Sequence, residues 1–142
     1  MIHIRKPVNF TDARGDIVDA FVSRPFEHGV LIRSKKGAVR GNHFHQESLQ
    51  CDFVITGRMA VFSRKAGSDT IEECVVGPND WTEWEKGEAH EFIALDDDVV
   101  FMSFVSGVRG GEAYEKDTYR LPVALHELAG KTVDQILARE TT

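Results

Sequence analysis

Turn-forming residues interrupt this chain every eight or so residues, and that punctuation is what most limits its possible folds. The segments left between turns are short and carry many β-branched and aromatic side chains. They fall at residues 17–22, 29–34, 38–45, 49–56, 59–64, 70–76, 81–84, 90–95 and 99–106. Gly57-Arg58 reads as a hairpin turn between two of them, Ala66-Gly67-Ser68-Asp69 as the next turn, and Gly77-Pro78-Asn79-Asp80 as a stop. Strands this short and this numerous predict an all-β antiparallel sandwich or small barrel. Only the tail is helical in pattern: Thr132 and Gln135 fit a capping box opening a helix over about 132–139. No repeat, low-complexity stretch or linker divides residues 1–142, so one domain is expected, with the barrel over about 10–121.

Charge narrows the partners. With 17 Lys and Arg against 23 Asp and Glu, the formal net charge is −6. A nucleic-acid-binding body needs a basic surface to displace counterions from phosphate, so none is expected. A phosphorylated small molecule is still compatible, because a few arginines suffice for one pyrophosphate. Cys51 and Cys74 lack metal-ligand spacing and read as buried free thiols of a reducing compartment. With no apolar run of membrane-spanning length and no signal-peptide pattern, a cytoplasmic protein is expected.

The chemistry concentrates on histidine. His43 and His45 are two apart in a strand-like run and so point to one face. Gln50 opens the next run, and His90 follows the Lys86-Gly87-Glu88-Ala89 turn. If packing brings the strand starts together, three imidazoles and one amide oxygen hold a divalent metal ion. Zinc, nickel, iron and manganese all suit such donors. Glu47 is a rival oxygen donor. A neutral amide in place of a carboxylate leaves the ion its full charge towards an anionic ligand. His3, His28 and His126 read as ordinary surface or core histidines. Placing Gln50 towards the barrel interior turns Leu49, Cys51, Phe53 and Ile55 outwards, and that apolar row then calls for cover, for instance by a second subunit in a homodimer.

The framing of these histidines resembles a known family. Gly37, five residues, His43-Phe44-His45, four residues, Gln50, six residues and Gly57 match one cupin motif. Gly87, two residues and His90 match the other. Gln50 stands where a glutamate is usual, Glu85 replaces a proline and Ala94 an asparagine. Asp12-Ala13-Arg14-Gly15, Arg40-Gly41-Asn42-His43-Phe44-His45 and residues 114–119 resemble the cupins of deoxysugar and surface-polysaccharide biosynthesis. These are the dTDP-4-dehydrorhamnose 3,5-epimerases, the dTDP-sugar 3,4-ketoisomerases and the C-terminal cupin of capsular-polysaccharide assembling proteins, the last being closest in motif.

The resemblance spans residues 10–121 and implies a cupin jelly-roll barrel. It implies two competing roles for His43, as the base of the epimerases or as a metal ligand with His45 and His90. A histidine lone pair on a metal cannot also abstract a proton, and the presence of His90 favours the metal. Arg40 matches an arginine near the substrate or its nucleotide.

The expected activity is isomerisation or epimerisation of a keto-sugar, nucleotide-linked, by proton abstraction beside the carbonyl. Glu47, Asp52 and Tyr119 are the candidate bases beside His43, with Tyr114 a further tyrosine in the matching stretch. Arg33 and Arg40, with Lys35 and Lys36, form either a pyrophosphate clamp or a solvated hairpin edge. Trp81 and Trp84 read as core or interface aromatics, and Asp96-Asp97-Asp98 as a solvated turn. Two other classes fit the same ligands: an iron-dependent oxygenase, and a non-catalytic cupin that binds a small sugar or anion.

Overall fold

A computed structural model describes residues 1–107 and 112–140 of the chain. The strands are β1 (Ile2–Arg5), β2 (Phe10–Asp12), β3 (Gly15–Ile17), β4 (His28–Ser34), β5 (Val39–Phe44) and β6 (Leu49–Thr56). They continue as β7 (Met59–Arg64), β8 (Glu72–Val76), β9 (Asp80–Trp84), β10 (Ala89–Ala94), β11 (Val99–Ser106) and β12 (Tyr119–Arg120). Three short helices, α1 (Glu112–Lys116), α2 (Leu125–Leu128) and α3 (Val133–Glu140), fall near the C-terminus. Two five-stranded sheets, in the orders β1-β9-β6-β11-β4 and β12-β5-β10-β7-β8, face each other as a jelly roll. All their pairings are antiparallel. Among the described residues the sheets do not join into one closed hydrogen-bonded ring.

Strand pleating decides what lies between the sheets. Along β11 burial alternates strictly, so Val99, Phe101, Ser103 and Val105 turn inwards. Phe101 meets Val61, Trp84 and Phe92 in the inter-sheet core. Strand β10 is instead buried at every position, because its second face is also covered. There Phe62, Ile93 and Leu95 pack under Leu125 of α2 and Ile136 of α3. The capping box opens α3 as the sequence predicts: Thr132 N–H donates to Gln135 Oε1 at 2.9 Å, and Gln135 N–H to Thr132 Oγ1 at 3.2 Å. Glu73 accepts hydrogen bonds from Lys131 and Arg139, which tie α3 to β8.

Three expectations need correction. Residues 57–58 join β6 to β7 by a tight turn, but the two strands do not form a hairpin. Strand β6 pairs with β9 and β11, whereas β7 crosses to the other sheet and pairs with β8 and β10. Gly57 sits at that corner with φ +77, and a Cβ there would meet Asp98 O at 2.9 Å.

Residues 17–22 are not a strand either. Gly15–Ile17 pairs only with Phe10–Asp12 in a small two-stranded hairpin. The chain then runs irregularly over the outer face of the first sheet. Phe21 and Phe26 pack there, edge-on or tilted, against Trp81 and Phe104, at centroid distances of 5.0–6.1 Å. This segment of the same chain lies over the part of the outward row around Cys51, which is fully buried, with Arg24 Nη2 3.6 Å from its sulfur. Ile55 at the far end of that row remains 42% exposed. Finally, the helices α1 and α2 lie where the turn pattern gives no helical periodicity.

Candidate functional site

The site begins with a break in strand regularity. In β5, Arg40 pairs with Phe92 and His43 with His90, although their spacing differs by one residue on the two strands. Gly41 and Asn42 together oppose Glu91, forming a β-bulge. Both bulge residues take left-handed backbone angles, φ 80 and φ 58. A Cβ on Gly41 would sit 2.8 Å from His90 O, so only glycine allows the strands to approach this closely. Asn42 is fixed from outside, its Oδ1 accepting the N–H of Leu125 at 3.0 Å. Simple alternation would put Arg40 and His43 on opposite faces. The bulge absorbs one residue, and both side chains line the same cavity.

His43, His45 and His90 converge at the end of the second sheet, with ligand atoms within 4.8 Å of one another. His90 is 1% exposed and stacks on Trp84, centroids 4.8 Å apart. Gln50 reaches them from β6 on the opposite sheet. Its NH2 donates to both oxygens of Asp52, at 3.0 and 3.2 Å, which turns its carbonyl oxygen towards His45.

Hydrogen bonds set the tautomers. His45 Nδ1 faces the backbone carbonyl of Asp117 at 3.0 Å, and His90 Nδ1 that of Glu88 at 3.3 Å. A carbonyl only accepts, so each Nδ1 carries the hydrogen, and a ring in its neutral form then presents its lone pair at Nε2. This outward anchoring by carbonyls is the usual support of metal-ligating histidine. His90 Nε2 is buried without a partner among the described residues. His45 Nε2 lies 3.1 Å from Gln50 Oε1. Two acceptors at that distance repel each other unless a cation or a hydrogen-bond donor mediates between them. The Tyr114 hydroxyl, 3.3 Å from the same nitrogen, can supply one hydrogen bond.

The electrostatics agree with this reading. Burial, then the nearby His45 and Arg120, lower the His43 pKa to about 4. Burial and the other two imidazoles push His90 well below the usual range. Both rings are therefore neutral donors at pH 7. Their chemistry and placement, with Gln50 Oε1, fit a divalent ion of the nitrogen-and-oxygen type.

Two carboxylates support the donors without facing the cavity. Asp52 is 1% exposed and accepts from Trp84 Nε1 at 2.6 Å, from Ser103 Oγ and from Gln50. Burial raises its pKa, against the pull of these hydrogen bonds. Asp117 accepts the N–H groups of Gln46, Glu47 and Ser48 and the Ser48 hydroxyl, at 2.9–3.2 Å. Burial works to raise its pKa, but these donors together hold it below the usual carboxylate range. Asp117 thus latches the loop between His45 and Gln50 while its carbonyl orients His45.

A cavity of about 370 Å³ opens against His43 and Gln50. Its walls are Val30, Ile32, Phe92, Phe101 and Val105, with His28, Ser103, Tyr114 and Arg40 as polar groups. The Arg40 guanidinium donates to Ser34 Oγ at 2.7 Å and Arg33 O at 2.8 Å, and among the described residues it pairs with no carboxylate.

The other sequence candidates fall elsewhere. Glu47 is exposed, and with Tyr119 and Lys116 it lines a separate surface hollow. Tyr119 stacks on Phe44 at 5.2 Å rather than entering the cavity. Asp52 lies behind Gln50, saturated with hydrogen bonds, where it serves as a support and is out of reach as a base. Arg33 lies on the outward-facing, exposed side of β4. Trp81 and Trp84 are both core, and Asp96 pairs with Arg58 at 2.9 Å in its turn. Tyr114 and His28 were the residues that sequence placed least well. His3 and His126 do find carboxylate partners, Asp80 and Glu91, but the buried Nδ1 of His28 finds none.

No protein-family model and no curated protein sequence matches this chain. Solved structures do. A dTDP-6-deoxy-D-glucose-3,5-epimerase of Legionella pneumophila, solved with dTDP-4-keto-L-rhamnose, superposes with a TM-score of 0.70 at 18% identity. The match covers 84% of this chain and 71% of that one. A dTDP-4-dehydrorhamnose 3,5-epimerase of Bacillus anthracis, solved with TDP and PPi bound, gives 0.66 at 18%, over 78% and 74% of the two chains. The capsular polysaccharide assembling protein CapF of Staphylococcus aureus gives 0.61 at 26% identity, over 83% of this chain and 34% of its own. The chain thus spans about a third of CapF. These are the cupin-fold groups that the histidine motifs resemble, and the jelly roll is common to them all.

Proposed function

We propose that this chain is a divalent-metal cupin that isomerises or epimerises a nucleotide-linked keto-sugar by moving a proton beside its carbonyl. The observation that carries the reading is a convergence of lone pairs that the described residues leave largely unsatisfied: His90 Nε2 is buried without a partner, and His45 Nε2, within reach of the Tyr114 hydroxyl alone as donor, faces Gln50 Oε1. His43, His45, His90 and Gln50 hold the ion. A bound ion of this kind supplies Lewis acidity, stabilising negative charge as it develops on a carbonyl oxygen. The apolar walls exclude water from the reacting carbons, which strengthens each electrostatic contact inside. Arg40, cationic and unopposed by a carboxylate among the described residues, suits the anionic part of a nucleotide sugar. The dTDP-sugar and the TDP with PPi named for two of the similar structures support that class of ligand.

Elemental analysis of the purified protein beside His90→Ala tests the metal: one ion per chain in the parent and none in the variant is expected. Equal, negligible metal in both would return His43 to the role of a free base. Deuterium uptake into dTDP-4-keto-6-deoxyglucose in heavy water tests the reaction, and no uptake on that or related keto-sugars would sink it. We further propose a homodimer, with Ile4, Leu31 and Ile55, each 42–45% exposed on the outer face of the first sheet, supplying its apolar contact. A monomer in sedimentation at micromolar concentration would exclude it.

A further inference from the structure

We propose that His28 is the residue that takes the proton from the substrate carbon. The inference rests on the reading that this cavity moves a proton beside a carbonyl, and it fills a gap in that reading. Once His43, His45 and His90 commit their lone pairs to an ion, none keeps a pair for a proton. Arg40 stays protonated. Tyr114 offers a phenol hydroxyl and no nitrogen lone pair. Ser103 donates to Asp52. Of the polar groups lining the cavity, His28 is the one with a nitrogen lone pair to spare.

Two further observations point the same way. His28 Nδ1 is buried without a hydrogen-bond partner among the described residues, although a polar atom so placed costs ~1–3 kcal/mol. No hydrogen bond among the described residues therefore ties up this nitrogen. Register then places it. Val105 pairs with His28 on one side and Gln50 on the other, so the three share one cross-strand row of the first sheet. His28 and Gln50 are thereby two strands apart, roughly 10 Å between backbones at the usual strand spacing. Both line the cavity. A ligand carbonyl held beside Gln50 presents its neighbouring carbon, across Val105, to the imidazole. The Tyr114 ring meets His28 edge-on, centroids 6.3 Å apart, and limits how it can turn.

The step balances within these groups. The C–H bond next to the carbonyl breaks, its electron pair becomes the new C=C bond, and the carbonyl π pair moves onto oxygen. The proton goes to the unprotonated nitrogen of His28, giving an imidazolium. Return of a proton to the same carbon from the opposite face completes epimerisation. Return to the former carbonyl carbon, with the neighbouring hydroxyl proton passing to the new oxyanion, completes isomerisation, and neither needs an oxidant or reductant.

The test compares the parent, His28→Ala and His28→Gln, each with its metal measured, for deuterium uptake into dTDP-4-keto-6-deoxyglucose in heavy water. Expected are parental metal content in both variants, uptake reduced a hundredfold or more as for loss of a general base, and partial recovery of His28→Ala by added imidazole. Glutamine matches the polarity without a basic nitrogen and should not recover. Parental uptake in either variant overturns the proposal while leaving the metal-dependent reaction standing. So does uptake lost only together with the metal, which would make His28 part of the site's assembly. A parent that takes up no deuterium overturns the underlying reaction and this step with it.

Discussion

Replacing Asp52 by alanine should damage the fold and the metal site together, and the size of both effects follows from what the carboxylate holds. Asp52 accepts hydrogen bonds from three buried donors: Trp84 Nε1, Gln50 Nε2 and Ser103 Oγ. Thr82 adds a long contact at 3.5 Å. Removing the acceptor leaves each donor stranded, at ~1–3 kcal/mol apiece. Against that, the carboxyl itself is unfavourably buried, which is why its pKa is raised. A net loss of ~3–6 kcal/mol is expected, a large part of the 5–15 typical of a domain. Urea denaturation in the presence of a chelator should show a lower midpoint with an unchanged slope. Metal titration of the folded variant should show ~10–100-fold weaker binding, because Gln50 loses the contact that turns its oxygen inwards. Asp52→Asn keeps one acceptor and should fall between parent and alanine. An alanine variant with the parental midpoint and metal affinity would refute the support role drawn for this carboxylate.

Gly41→Ala should cost at least ~1–2 kcal/mol from the left-handed backbone alone, with the His90 O clash added, and should lower the melting temperature and metal affinity together. An unperturbed variant would mean the bulge does not set the His43 position. Asp117→Asn should destabilise by ~2–3 kcal/mol near neutrality, since hydrogen bonds to a charged acceptor are lost. The Asp117 pKa is lowered in the folded state, so its contribution is present above the unfolded value of ~3.9 and lost as pH falls through the lower folded one. The asparagine variant should therefore show a shallower stability loss in acid, measured by denaturation at stepped pH. His43 acts over a different range. Its pKa is about 4 folded against ~6.5 unfolded, so the unfolded chain binds more protons between those values. Metal-free protein should lose up to ~3 kcal/mol as pH drops from 6.5 to 4, less what solvent at the half-buried ring screens, and a His43→Phe variant should flatten that slope.

The convergence of the three histidines with Gln50 was legible because strand parity and turn spacing survive in sequence. His43 and His45 share a face by the two-residue period, and glycines mark the turns that bring Gln50 and His90 near. Arg40 was placed beside the substrate by likeness alone, since parity argues against it and only the Gly41-Asn42 bulge reconciles the two. A Gly-Asn pair inside a strand is the available signal, both residues tolerating positive φ. Crossing from β6 to β7 was not legible. Gly57-Arg58 serves a corner as readily as a hairpin, and the choice rests on the distant Asp96 and Asp98. His28 was missed because an unpartnered nitrogen is a property of the folded interior. Glu47 was overvalued for the opposite reason: it is close to the ligands in sequence, but Asp117 holds its backbone while its side chain lies exposed.

The contact between Gln50 and Asp52 also constrains how the site could evolve. Gln and Glu codons differ by one nucleotide, so a glutamate ligand at position 50 is mutationally close. Here, however, the amide NH2 of Gln50 donates to both Asp52 oxygens. Glutamate at 50 would set two carboxylates against each other in a buried place, where both cannot stay ionised. The change is easier once position 52 gives up its charge, for example as asparagine, or where a proton shared with Asp52 or a cation held at position 50 offsets the repulsion. The two positions are thus coupled, and the effect of a substitution at one depends on the residue at the other.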